Sequence, residues 1–167
     1  MKLKFVLLYI LAFVLFKAQG KDFYPQNRAE KIVRMVLKDG SVKIIDNIAI
    51  ENTSEKEFPL VVYQCSREDR GDFYAVLTQA KGRYDRFDYM LILDQDKKIE
   101  KVRVLKYRSE HGGEIGSKKW LEQFENYSVG ELRYKHEISA ISGATLSAKS
   151  ITNDIRLVME IVLSRLN

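Results

Sequence analysis

The sequence predicts an α+β domain, a twisted and mostly antiparallel sheet, half-barrel-like, flanked by helices and ending in a long C-terminal helix. Apolar, β-branched runs separated by polar turns fill residues 42–107, while helical periodicity is confined to the two ends and one short segment before residue 125. Regular strand–helix–strand alternation, the mark of a parallel sheet, is missing. The chain has 167 residues, of which 46% are hydrophobic, enough for one domain with a single core.

In chain order, Asn27 to Lys38 reads as a helix, with Ala29, Ile32, Val33, Val36 and Leu37 on one face. Asp39-Gly40 stops it, Gly40 being suited to a left-handed cap. Val42 to Ile50 is a strand, Glu51 to Glu57 a polar loop, and Leu60 to Cys65 a second strand. Ser66 to Gly71 is a charged turn, and Tyr74 to Thr78 is extended until Lys81-Gly82-Arg83 breaks it. The clearest hairpin pairs Phe87 to Leu93 with Ile99 to Tyr107 across the turn Asp94-Gln95-Asp96-Lys97. Alternation fails in its second arm, which places a bulge near Lys101. His111-Gly112-Gly113 is a flexible loop, followed by a short helix from Ser117 to Phe124 with Ser117 as cap. The final helix shows one stripe of Ile151, Ile155, Val158, Met159, Val162, Leu163 and Leu166, with Ser147 as its expected N-cap and Met159 as core.

Residues 1–20 stand apart from this fold. Lys2 and Lys4 precede the unbroken apolar run Phe5 to Phe16, and Ala18 and Gly20 supply small residues at the −3 and −1 positions of a cut. This is the layout of a secretory signal peptide. A retained anchor is the other reading, but the run is shorter than the about 20 residues a spanning helix needs. The expected mature chain is a single domain, 21–167, either periplasmic or associated with the outer face of the inner membrane. Losing Lys2, Lys4 and Lys17 lowers the formal charge from +5 to +2. With no basic block interleaved with aromatics, nucleic acid is excluded as a partner. Cys65 is the sole cysteine, so no disulfide forms within the chain. It reads as a buried small hydrophobe, the alternative being a bridge between molecules. One cysteine and two histidines argue against structural zinc.

Chemistry concentrates in Ser142-Gly143-Ala144-Thr145, just before the last helix. A tight turn with Thr145 as an ordinary capping hydroxyl would explain the tetrapeptide. The functional alternative rests on shape and charge. Gly143 and Ala144 leave room for a bulky group, and a phosphate on Thr145 would lie at the positive end of a helix. Threonine is a weak nucleophile unassisted, so such a link needs an outside catalyst.

Ile141-Ser142-Gly143-Ala144-Thr145-Leu146-Ser147 resembles the flavinylation site of the FMN-binding domain. That domain occurs in the C subunit of sodium-pumping NADH:quinone oxidoreductase, in the G subunit of the Rnf complex, and in small exported flavoproteins. The resemblance covers about residues 71 to 155, taking in the hairpin, the loop Tyr107 to Gly116 and Trp120-Leu121-Glu122-Gln123-Phe124. It implies FMN esterified through its phosphate to Thr145 by a dedicated flavin transferase. It also implies an electron carrier, rather than a stand-alone catalyst, serving a membrane or periplasmic redox partner. The motif residues, together with Ser109, Glu110, His111, Gly112, Gly113 and Trp120, are then the expected cofactor contacts, the glycine-rich loop lying over the ring.

Two departures stand out. The family's Asp three residues before the motif Ser/Thr is Ser139 here, leaving Glu137 as the nearby carboxylate, and the loop's Glu–hydroxyl order is reversed as Ser109-Glu110. They keep open a binding or assembly module with a decayed flavin site. A reductase holding FMN non-covalently is a further alternative, although no glycine fingerprint for a nicotinamide nucleotide follows a strand. His136 reads as a surface residue.

Overall fold

Five strands form one sheet in chain order, each antiparallel to its neighbour. They are β1 (Lys43–Ile50), β2 (Leu60–Arg67), β3 (Gly71–Lys81), β4 (Arg86–Leu93) and β5 (Ile99–Lys106). The computed structural model describes residues 24–50 and 56–166, so the expected leader and most of the polar loop after β1 lie outside the described residues. The half-barrel expectation resolves into an open antiparallel meander with β1 and β5 at its edges.

The alternation of each strand assigns its side chains to two cores. Val62, Val76, Phe87, Tyr89, Leu91 and Leu93 face one side. Tyr63, Cys65, Phe73, Ala75, Leu77, Met90 and Ile92 face the other. Helix α1 (Gln26–Leu37) covers the second face through buried Ala29 and Val33. The long helix α3 (Thr145–Leu166) covers the first through Ile151, Ile155, Val158, Met159 and Val162. A single-turn helix α2 (Lys118–Leu121), continued by a 3-10 turn at Glu122–Phe124, adds Trp120, Leu121 and Phe124 to that core. The α+β expectation is met as three layers, with β4 buried along nearly its whole length. Cys65 is a fully buried free thiol whose pKa burial pushes up to about 12.

Several local expectations need correction. Helix α1 ends at Leu37, and Lys38 rather than Gly40 takes the left-handed conformation, with φ 56°, its N–H bonding to the Arg34 carbonyl. Ser117 precedes α2 without making a side-chain cap. The bulge expected near Lys101 is present, at the adjacent Glu100, because Ile92 pairs with Lys101 but Leu93 with Ile99. A second irregularity leaves Leu105 extra between Tyr89–Val104 and Asp88–Lys106.

Two buried polar clusters tie the layers. The Lys56 ammonium donates to both Asp154 carboxylate oxygens at 2.6 and 2.7 Å and to the Gln79 carbonyl at 3.1 Å, and the Tyr89 hydroxyl donates to Asp154 at 2.6 Å. This fastens α3 to the sheet. Across the sheet, Asp88 accepts from both ends of the Arg108 guanidinium at 2.8 Å, from Gln79 at 2.6 Å and from Tyr24 at 2.9 Å.

Candidate functional site

The motif turns the chain into α3. Gly143 has φ +82°, a conformation that favours glycine, and a Cβ placed there would lie 2.8 Å from the exposed Glu114 carboxylate, which would have to swing aside. The Ala144 carbonyl accepts the Ala148 N–H at 2.8 Å, which makes Ala144 the N-cap. The expectation of Ser147 as cap is therefore wrong. Ser147 lies inside the first turn, almost fully buried, with its hydroxyl 2.8 Å from Tyr107 Oη. Alanine has no oxygen with which to cap. The amides of Thr145, Leu146 and Ser147 have no carbonyl one turn back, so this helix start presents donors and positive partial charge. Thr145 and Leu146 are exposed, as is Ser142, whereas Ala144 is buried.

Thr145 opens onto a hollow of about 410 Å³ lined by Arg133, Tyr134, Lys135, Thr145, Lys149 and Asn153. Lys149 and Asn153 follow Thr145 at four-residue spacing and so share its face of α3. Arg133 is held by Glu131 and Glu137, and its guanidinium lowers the Glu137 carboxyl to about 2. The side chains of Lys135 and Lys149 form no ion pair among the described residues.

The loop between β5 and α2 reaches this motif. Glu114 abuts Gly143, Tyr107 meets Ser147, and Ile115 is buried in the core on the α3 side of the sheet. Ser109 Oγ is buried without a hydrogen-bond partner, a condition that calls for an explanation in a polar atom. Glu110 and His111 are exposed, whereas Gly112 is buried with φ +95° and Gly113 starts the 3-10 turn Gly113–Gly116. The loop predicted to be flexible thus contains one tightly constrained glycine. Trp120 is nearly buried, donates from Nε1 to the Ser139 carbonyl at 2.8 Å and meets Phe124 edge-on at 5.4 Å. It also lines a second hollow, of about 400 Å³, with Ser117, Lys119, Gln123, Ser139 and Ile141. His136 is exposed, as expected.

Residues 82–160, from the end of β3 into α3, match the family model of the FMN-binding domain. This region is an FMN-binding domain. No curated protein matches the chain. The FMN-binding domain takes in the motif, the loop and Trp120, and leaves α1, β1, β2 and β3 outside. Its residues suit the cofactor. An uncapped helix start and two unpaired lysines suit a phosphate, and the unpartnered Ser109 hydroxyl suits a polar ligand edge.

Sequence reasoning missed Tyr107, Glu114, Arg133, Lys135 and Lys149. Helical spacing from Thr145 would have found Lys149. The others come from segments whose approach to the motif has no local signature.

Proposed function

We propose that the chain is an exported electron-carrying flavoprotein with FMN joined through its phosphate to Thr145 Oγ1. One observation carries this reading. Thr145 is the exposed first residue of α3, and its hollow holds the unpaired side chains of Lys135 and Lys149. A phosphodiester retains one negative charge, which both the helix start and the lysines stabilise. Forming it makes an Oγ1–P bond, breaks the bond from phosphorus to the donor's leaving group, and sends the hydroxyl proton to a base. A flavin transferase supplies that base, as the resemblance implies.

Bound flavin supplies the redox chemistry, and the chain supplies position and charge. Arg133, Lys135 and Lys149 hold the phosphate end. The Ser109–Gly116 loop, packed on the motif through Glu114, offers Ser109, Glu110 and His111 toward the polar edge. A covalent link suits an exported carrier, because a dissociable cofactor is lost where free ligand falls below its Kd. The electron donor and acceptor are then membrane or periplasmic partners reached after cleavage at Gly20.

The test is mass spectrometry of the tryptic peptide His136–Lys149 after co-expression with a flavin transferase. The expected peptide carries the mass of FMN less water, and Thr145→Ala loses it. An unmodified wild-type peptide, or yellow colour released by acid, overturns covalent attachment and favours the non-covalent reading. Intact mass of envelope protein should also lack residues 1–20.

A further inference from the structure

Tyr107 joins three segments that are distant in sequence. Its ring rests against Phe87 of β4, with centroids 5.5 Å apart. Its hydroxyl donates to the His111 carbonyl at 3.0 Å and lies 2.8 Å from Ser147 Oγ. A phenol has one proton. Since Tyr107 spends it on the loop carbonyl, Ser147 must be the donor in the second bond. The chain Ser147–Tyr107–His111 therefore runs from the first turn of α3, two residues past Thr145, to the backbone of the loop. Gly112 completes the fit, because a Cβ there would lie 2.4 Å from Tyr107 Oη and 3.3 Å from Ser147 Oγ. Only glycine lets the loop backbone come this close.

We infer that Tyr107 is a positioning residue that fixes the Ser109–Gly113 loop on the first turn of α3, and so sets the polar surroundings of the flavin held at Thr145. The inference rests on the proposed function for the flavin's place and on geometry for the clamp. Arg108 anchors the start of the loop on Asp88 and the Arg86 carbonyl, and the Tyr107 hydroxyl holds the next part at the His111 carbonyl. Among the described residues, Glu110 and His111 are exposed and Ser109 Oγ is unpartnered. Without the Tyr107 hydroxyl, the segment keeps its attachments at β5, at Ile115 and at Glu114 against Gly143, but loses its hydrogen-bonded tie to the first turn of α3.

Tyr107→Phe tests this, since it keeps the ring on Phe87 and removes only Oη. Amide hydrogen exchange of residues 110–113 should become about tenfold faster, as expected for one lost hydrogen bond near 1.4 kcal/mol. In the FMN-loaded full chain, the midpoint potential and the visible absorption band should shift while Thr145 keeps its added mass. Ser147→Ala removes the donor but leaves the bond to His111, so its effects should be smaller and of the same sign. It also carries the test if Tyr107→Phe fails to fold. Unchanged exchange overturns the clamp. Faster exchange with an unchanged potential and spectrum overturns its role toward the flavin. Wild-type Thr145 without added mass refutes the covalent attachment instead, and exchange in the unloaded protein then decides the clamp by itself.

Discussion

Replacing Asp154 with alanine should destabilise this protein more than any surface substitution on α3. The Lys56 side chain is 2% exposed and that of Asp154 15%. Burial pushes Lys56 down and Asp154 up in pKa, against their mutual attraction. Asp154→Ala removes the two contacts at 2.6 and 2.7 Å and leaves the ammonium only the Gln79 carbonyl at 3.1 Å. It also strips the Tyr89 hydroxyl of its acceptor. Breaking one side of a buried pair costs about 3–5 kcal/mol. For a domain of this size that lowers Tm by roughly 6–20 °C. Urea unfolding followed by Trp120 fluorescence is the assay, with a lower midpoint and an unchanged slope expected. Lys56→Met with Asp154→Leu and Tyr89→Phe should recover all but about 1 kcal/mol, because apolar packing of similar volume avoids the desolvation cost. A loss below about 1 kcal/mol for Asp154→Ala would mean that Lys56 reaches water without its partner, and would refute the reasoning.

Three further outcomes are expected. Burial by itself raises the Asp88 pKa, but hydrogen bonds from Arg108, Gln79 and Tyr24 outweigh it and hold the carboxyl below its ordinary value. A depressed folded pKa gives stability that is complete above the unfolded value, near 4, and lost as pH falls through the folded one. The wild-type urea midpoint should therefore drop below about pH 4, whereas Asp88→Asn starts lower at neutral pH and shows a flatter acid limb. Gly143→Ala should cost about 1–3 kcal/mol from its positive φ and slow flavin incorporation. Adding Glu114→Ala should relieve the steric part alone, and a full rescue in urea unfolding would show that φ is not the constraint. Ser139→Asp should speed flavin incorporation in a transferase assay by restoring the family's carboxylate. The Ser139 backbone stays anchored by Gln123 and Trp120, so an unchanged rate would mean that the transferase reads another feature.

How well the sequence could be read followed the range of each interaction. The five strands, both long helices and the bulge beside Lys101 come from side-chain periods and turn residues a few positions apart. Helix ends were read less well. Gly40 and Ser147 both looked like caps, yet Lys38 and Ala144 occupy those places. Propensity favours glycine at one end and serine at the other. The actual boundaries depend on where packing stops, and burial of Ser147 against Tyr107 draws α3 back to Thr145.

The site divides in the same way. The motif Ser142–Ser147 and the glycine-rich loop are each contiguous in sequence, so the family resemblance that marks Thr145 and its neighbours could be read from them directly. That the loop touches the motif, that Glu114 lies against Gly143, and that Lys135 joins Lys149 in one hollow were all decided by the tertiary fold. These contacts join segments 29 and 14 residues apart, for Glu114–Gly143 and Lys135–Lys149. No periodic pattern reports such a distance, because it is set by how α3 lies on the sheet. The buried side chains of α3, together with Lys56, Tyr89 and Asp154, determine that placement.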